Sequence, residues 1–112
     1  MQRDLGAVVD IVLACRDIQE FISGLSESEF LGDKKTRSAV IHQIMLIGEA
    51  VKRLSRKFRG EHTQIPWAAI AGMRDRLIHG YDEVEFEKVW RVATTEVPDL
   101  LERLEPILRP QR

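Results

Sequence analysis

The stretch KKTRSAVIHQIMLIGEAVKRLSRKF, residues Lys34–Phe58, decides the fold of this chain of 112 residues. Its apolar residues step by four, three, four, three and four positions, which is the spacing of one face of an α-helix. These residues are Val40, Ile44, Ile47, Val51, Leu54 and Phe58. Ile41, Leu46 and Ala50 widen the stripe, so we expect this helix to contact neighbours on more than one side, in its own bundle and in a second subunit. Gly48 would permit a close backbone approach.

The residues before this helix predict a second helix and a connection. Apolar residues recur every three or four positions from Arg3 to Ser23, which is the helical period. They are Leu5, Val8, Val12, Cys15, Ile18 and Ile22. The next residues, GLSESEFLG from Gly24 to Gly32, carry glycine at both ends and are expected to form a connection, with Asp33 capping the helix that follows.

The residues after the long helix predict three more segments. Residues 59–65 are polar and indicate a loop, and Pro66 suits the first position of a third helix that ends near Gly80. A fourth helix is expected over residues 85–95, and Pro98 begins a short last helix that Pro110 ends. No stretch alternates between apolar and polar residues with the period of two that is typical of a β-strand. The predicted fold is therefore all-α, a single domain over residues 1–112 that forms an antiparallel helical bundle of four main helices plus a short C-terminal helix.

The composition suits a soluble globular protein and gives no general attraction to polyanions. Hydrophobic residues make up 44% and charged residues 31%, with a formal net charge of -1. Any contact with nucleic acid must therefore be local. The best candidate is KRLSRKFR, which holds five basic residues in eight: Lys52, Arg53, Arg56, Lys57 and Arg59. We interpret these as RNA-binding residues, with a solvated helix end favoured by the helix dipole as the alternative.

The cysteine count and the N-terminus bear on location. Cys15 is the one cysteine, which excludes an internal disulfide and a cysteine-based metal site in one chain, and its apolar surroundings predict core packing. The N-terminal residues lack the core of a signal peptide, and no apolar run approaches the ~18 residues that suggest a membrane span. We expect a cytoplasmic protein without a membrane association.

The stretch GMRDRLIHGY, from Gly72 to Tyr81, gathers polar residues where the third helix ends. At about 100° per residue, one arc of the helix is predicted to be buried. Its members are Trp67, Ile70, Ala71, Met73, Leu77, Ile78 and Tyr81. His79 lies about 180° from Ile70, and Asp75 precedes it by four residues, so both are expected on the solvent side. The alternative is an ordinary surface histidine that gains from the helix dipole and from Asp75.

Arg74 lies at the rim of the predicted buried arc, about 140° from His79. One straight helix does not readily join the two side chains, but two copies related by a two-fold axis can. An imidazole can transfer protons at neutral pH, and a guanidinium can hold a phosphate. This pair suits RNA cleavage in which His79 deprotonates the ribose 2′-OH and Arg74 stabilises the phosphorus centre, with Asp75 orienting the imidazole or positioning RNA. The scheme requires no metal ion and no cofactor.

The chain resembles the minimal HEPN domains of the HepT type, the toxin halves of toxin–antitoxin pairs. The resemblance rests on RDRLIHGY at residues 74–81, on IGEA at residues 47–50, on IPW at residues 65–67, and on VW followed by VPDL in the last third. It implies an endoribonuclease whose catalytic residues Arg74 and His79, with Asp75 beside them, meet in a cleft between two subunits. It also implies that Tyr81 receives AMP from a minimal nucleotidyltransferase, the antitoxin, which silences the toxin.

Several alternatives stay open on sequence alone. Glu49 is either a buried acid that pairs with Arg74 or a surface glutamate, and His42 and His62 lack partners at metal-ligand spacing. Instead of a nuclease, the chain could be a non-catalytic helical module that binds a nucleotide or a protein. A third reading is a structural dimer in which Arg74 and His79 are surface ion-pair partners.

Overall fold

The computed structural model describes residues 2–109, which fold into helices and turns without a strand among them. The all-α prediction is confirmed. The helices are α1 (Gln2–Ile22), α2 (Glu27–Leu31), α3 (Lys34–Arg53), α4 (Arg56–Glu61), α5 (Trp67–His79), α6 (Phe86–Arg91) and α7 (Val97–Leu108). A 3₁₀ turn, Tyr81–Glu83, follows α5, and a π-helical turn, Val92–Glu96, joins α6 to α7.

The helix α3 lies at the centre of the bundle, as its broad apolar surface predicts. It packs along α1 on one side and along α5 on the other, while α7 packs on α1. Val40 and Val51 of α3 are fully buried, and so are Val8, Ile11 and Ile18 of α1. Leu5, whose spacing helped to predict α1, lies within that helix but is 40% exposed.

The long helix predicted to reach Phe58 ends instead at Arg53. Ser55 begins α4 because its hydroxyl accepts a hydrogen bond from the Phe58 N–H, the geometry of an N-cap. The buried Asp4 of α1 fixes this break, since its carboxylate accepts hydrogen bonds from the Ser55 N–H and hydroxyl, each at 2.8 Å. These bonds lower the pKa of Asp4. Because α4 extends to Glu61, the predicted loop over residues 59–65 is shorter than expected.

Two further boundaries differ from the prediction. The connection between α1 and α3 contains α2, which Ser26 and Glu29 begin with a capping box and whose Phe30 is buried. The predicted fourth and last helices form one continuous rod through the π-helical turn, so Pro98 does not start a separate helix. The rod ends at Leu108, and Pro110 lies outside the described residues.

Other expectations for the core and for membranes can be compared directly with the structure. Cys15 is fully buried, and burial raises the pKa of its thiol to about 12, as expected for a cysteine that packs as a hydrophobe. Over residues 2–109, no helix combines the length and the hydrophobicity that crossing a bilayer requires.

Candidate functional site

The crossing of α3 and α5 places Arg74 directly against Gly48. A Cβ atom at position 48 would lie 2.1 Å from Arg74 Cβ and 2.7 Å from Arg74 Cγ, much closer than the separation at which carbon atoms pack. The expectation that Gly48 permits a close approach is therefore confirmed. The first carbons of the Arg74 side chain are held between two helix backbones, so the direction in which its guanidinium leaves α5 is restricted.

Two carboxylates approach the Arg74 guanidinium. Nη1 donates to Asp75 Oδ1 at 3.1 Å, and Nη2 lies 3.7 Å from Glu49 Oε1. The Arg74 side chain is 22% exposed, whereas that of Glu49 is 54% exposed. Of the two alternatives for Glu49, the structure therefore supports the surface glutamate, and this residue approaches Arg74 without being buried. Arg74 Nε is buried and has no hydrogen-bond partner within residues 2–109.

Asp75 links α5 to α3. Lys52 Nζ donates to Asp75 Oδ1 at 2.6 Å, and both side chains are 44% exposed. The hydrogen bond from Lys52, and secondarily that from Arg74, lowers the pKa of Asp75, so its carboxylate is ionised at neutral pH. Asp75 was expected to lie beside His79. In the described chain its polar contacts go to Lys52 and Arg74 instead.

His79 is the last residue of α5 and is exposed, as its position opposite the buried face predicts. It lies on the rim of a groove of about 770 Å³ between α5 and the α6–α7 rod. The floor of the groove is aliphatic and includes Met73, Leu77 and Val89. Arg74 does not line this groove, so one chain presents the imidazole and the guanidinium on different sides of α5.

Tyr81 departs from its predicted position in the buried arc. The helix ends at His79, Gly80 caps it, and Tyr81 begins the 3₁₀ turn with half of its surface exposed, 50%. Its position in a turn removes it from the helical arc, and Ile78 of the same predicted arc is 37% exposed. The phenol of Tyr81 is accessible next to the groove, because its neighbours Gly80 and Glu83 both line the groove.

The run of five basic residues is divided by its ion pairs and by the helix break. Lys52 pairs with Asp75, and Arg53 pairs with Asp10 of α1. Arg56 and Lys57 are exposed on α4, while Arg59 is half-buried. The run therefore consists of a paired half on α3 and a half on α4 for which the described chain shows no ion pair.

The remaining histidines occupy separate environments. His62 packs on Phe58, with ring centroids 4.5 Å apart, and His42 is exposed on α3. No group of three or more His, Cys, Asp or Glu side chains that could hold a metal ion occurs within the described part of the chain.

Sequence reasoning missed the groove beside His79 and the charged residues that line it, which are basic, as Arg76 and Arg91 are, and acidic, as Glu85 and Asp99 are. The groove exists because α5 packs on α3 and leaves a gap towards the α6–α7 rod. Helical periodicity indicates which face of each helix is apolar, but it does not give the spacing between two helices. The signal in the sequence was limited to the apolar residues of α5 and α6 that line the groove.

Comparisons with known proteins agree on one family. The family model described as "Ribonuclease HepT-like" matches residues 11–107. A Thermococcus cleftensis protein named "Probable ribonuclease HepT" is 39% identical over 98 residues, 88% of this chain and 89% of that protein. A Methanocaldococcus jannaschii protein named "Putative RNase MJ0127" is 39% identical over 100 residues, covering 89% of this chain and 83% of the relative. A Caldanaerobacter subterraneus relative named "Putative RNase TTE0752" is 36% identical over 102 residues, 91% of each chain. No solved structure matches the chain.

Proposed function

The chain belongs to the HepT-like ribonuclease family, and from this premise we propose that it is a metal-independent endoribonuclease whose active site forms between two copies of the chain. Arg74 of one copy works beside His79 of the other. The observation that carries the proposal is the fixed, half-buried guanidinium of Arg74 at the Gly48 crossing, together with an exposed imidazole at the end of the same helix.

The two side chains divide the chemistry between them. His79 removes the proton from a ribose 2′-OH, and the 2′ oxygen forms a bond to the adjacent phosphorus. The bond from phosphorus to the 5′ oxygen breaks, and that oxygen takes up a proton. The products are a 2′,3′-cyclic phosphate and a 5′-hydroxyl. Arg74 stabilises the negative charge that develops on the phosphoryl oxygens, and DNA is inert because it lacks the attacking hydroxyl.

The carboxylates beside Arg74 serve to position it. Asp75 accepts a hydrogen bond from Arg74 Nη1 at 3.1 Å and another from Lys52. Because Asp75 is shared between two cations, it orients the guanidinium of Arg74 without being a dedicated partner that neutralises its charge. The 22% exposed side chain of Arg74 leaves part of the fork open to a phosphate. This arrangement supports a role for Asp75 in positioning Arg74 and not in orienting His79.

Exposed apolar side chains on three helices support the pairing of two copies. Leu13 of α1, Leu46 of α3 and Ile78 of α5 are 52%, 38% and 37% exposed. The central helix α3 packs on both α1 and α5, and large apolar side chains that remain exposed on neighbouring helices favour coverage by another chain.

RNA cleavage in the presence of a chelator tests this proposal. Purified wild type, His79→Ala and Arg74→Gln are incubated with RNA, with His42→Ala as the matched control because His42 is also an exposed helical histidine. We expect activity to fall by at least about 100-fold in the first two variants and to stay at the wild-type level in the control. Equal cleavage by all four proteins would refute the assignment.

Tyr81 is the proposed site of regulation in a toxin–antitoxin pair. A minimal nucleotidyltransferase would join the α-phosphorus of ATP to the Tyr81 oxygen, with release of pyrophosphate and the phenolic proton. The added AMP places bulk and negative charge beside the groove, where RNA phosphates must approach. The 50% exposure of Tyr81 in a turn supports this role.

Tyr81→Phe should abolish the added mass of AMP that mass spectrometry would detect, and it should leave RNA cleavage intact. An unchanged mass shift in that variant would exclude Tyr81 as the acceptor.

A second candidate function, a non-catalytic binding module, is favoured by the groove itself. Its volume of about 770 Å³ and its aliphatic floor are within the range of small-molecule sites. This alternative predicts that purified wild type gives no RNA end products in the cleavage experiment above.

A further inference from the structure

A second cleft, which adjoins the groove at Pro66 and Ala69, lies between α4 and the start of α5. We call it the α4–α5 cleft. It has a volume of about 590 Å³ and its polar lining consists of Arg56, Arg59 and Thr63, while Pro66, Ala68 and Ala69 form the α5 side. No carboxylate side chain is among the residues that line it. All the polar side chains of its lining can therefore donate hydrogen bonds, which favours an anionic ligand.

The two arginines are free to bind such a ligand. Lys52 and Arg53 of the same basic run are held by Asp75 and Asp10, whereas the described chain shows no ion pair for Arg56 or Arg59. Arg59 Nε is buried and has no hydrogen-bond partner among residues 2–109. The burial of Nε fixes the stem of this side chain, and the two outer guanidinium nitrogens, which are not among the buried atoms, remain available to an oxyanion in the cleft.

The start of α5 adds to the positive character of the cleft. Pro66 is the N-cap residue and makes no side-chain cap hydrogen bond. The Trp67 N–H donates to the Ile65 carbonyl at 2.9 Å. The N–H groups that lack an acceptor from a capping side chain are therefore those of Ala68 and Ala69. The positive end of the helix dipole lies at the same place. Because Ala68 and Ala69 are small, a ligand can approach the helix closely there.

The α4–α5 cleft and His79 lie on the same side of α5. Ala68 and His79 are 11 residues apart, which at about 100° and 1.5 Å per residue places them roughly 20° apart in direction and about 16 Å apart along the axis. A single strand with about 3.4 Å of rise per nucleotide spans this distance in roughly five nucleotides, and an extended strand needs fewer.

We propose that the α4–α5 cleft binds a backbone phosphate of the RNA substrate a few nucleotides away from the bond that His79 cleaves. This inference rests on the proposed function and names a substrate contact outside the catalytic pair. Arg56 and Arg59 bind the phosphate, and the RNA strand then follows α5 to His79. The cleft makes cleavage depend on RNA length, because a dinucleotide can occupy the catalytic site without reaching the arginines.

Binding is measured first, since it does not require cleavage. The probe is a fluorescent single strand of about 12 nucleotides with 2′-O-methyl groups, which lacks the attacking hydroxyl, and the readout is fluorescence anisotropy at several salt concentrations. Arg56→Gln/Arg59→Gln should weaken binding at least about tenfold and lower the slope of log K against log salt by about 0.7, the value for one phosphate of a single strand. The matched control is Lys34→Gln/Lys35→Gln, which removes two exposed charges at the start of α3 and should change binding less than about twofold.

Each outcome decides the proposal. Unchanged binding in the arginine variant, or equal weakening in the lysine control, would overturn it. Should the double variant lose its helical circular dichroism, Arg56→Gln alone decides, because Arg56 is exposed; it should weaken binding by at least about threefold, and unchanged affinity would overturn the proposal.

Cleavage gives the second readout. In the arginine variant the KM for the long unmodified RNA should rise while dinucleotide cleavage stays unchanged, and an equal loss on both substrates would count against a remote phosphate site. If no RNA is cleaved even by wild type, the nuclease proposal fails, whereas the anisotropy result still decides whether the cleft binds phosphate.

Discussion

Replacing Gly48 by alanine puts a methyl group where α3 and α5 cross. The new Cβ would lie 2.1 Å from Arg74 Cβ and 3.5 Å from Arg74 Cα. Carbon atoms pack at about 3.5 Å or more, so the contact must open by about 1.4 Å. The obstacle is the first carbon of the Arg74 side chain, which moves only with the backbone of α5. The two helices must therefore shift apart.

The expected change in stability combines two opposing effects. Alanine gains about 1 kcal/mol over glycine from helix propensity, and overpacking costs about 1–3 kcal/mol or more. Because the displaced atoms belong to a helix seam, we expect the upper part of this cost, about 2–3 kcal/mol, and therefore a net loss of about 1–2 kcal/mol. For a chain of this size that lowers the melting temperature by roughly 4 °C or more per kcal/mol. RNA cleavage should fall as well, since Arg74 moves with the helix.

Thermal and urea unfolding followed by circular dichroism measure this effect. Gly6→Ala is the matched control, because Gly6 lies inside α1 and an added Cβ there meets nothing within 4 Å; it should be neutral or stabilising. Gly48→Ala combined with Arg74→Gly removes the atom that clashes and should recover part of the lost stability. A Gly48→Ala protein as stable as the Gly6→Ala control would show that α3 and α5 do not cross this closely.

Three further predictions concern the Asp4–Ser55 contact and the buried thiol. Hydrogen bonds from Ser55 hold the pKa of Asp4 below its ordinary value of 3.8. The stabilisation that these bonds give is therefore present above that pH and is lost as the pH falls through the lower native pKa. In urea titrations, the difference in the free energy of unfolding between wild type and Asp4→Asn should shrink below pH 3.8, and a constant difference would contradict this. Ser55→Ala should lower the free energy of unfolding by about 0.5–2 kcal/mol, whereas Ser38→Ala, an exposed serine inside α3, should not lower it. With its pKa raised to about 12, the Cys15 thiol should resist a thiol-reactive dye at neutral pH and react in urea, and prompt labelling of the native protein would count against its burial.

Helical periodicity predicted the central helix correctly and misplaced its end for a physical reason. The apolar stripe continues through Val51, Leu54 and Phe58, all of which are buried, although the backbone breaks between α3 and α4. Ser55 was the available local signal, because serine is a favoured N-cap residue. Its partner Asp4 lies 51 residues earlier in the chain, so no local pattern reveals that contact.

Two other boundary errors had different causes: one had a local signal in the sequence that was missed, and the other depended on the backbone geometry of the preceding turn. The capping box of Ser26 and Glu29 could have been read from the spacing of serine and glutamate. Pro98 was taken as a helix start because proline clashes with the carbonyl four residues before it. The π-helical turn at Val92–Glu96 includes that residue, Thr94, and the wider turn allows the helix to continue past the proline.

The candidate site was predictable in its residues and not in its contacts. The solvent-facing direction of His79 followed from its angle to Ile70. The pairing of Asp75 with Lys52 did not, since it depends on how α3 and α5 align. Tyr81 left the predicted arc because the helix ends at His79, as the prediction of an end near Gly80 implied, and the helical angle was applied to a residue beyond that end.

The most direct test of the proposed active site mixes two inactive variants. His79→Ala supplies Arg74, and Arg74→Gln supplies His79, so a mixed pair of chains contains one intact combination. After subunit exchange, with mixed dimers verified by native mass spectrometry, we expect the mixture to cleave RNA in chelator well above either variant alone. A mixture that forms mixed dimers and stays as inactive as its components would contradict an active site shared between two copies.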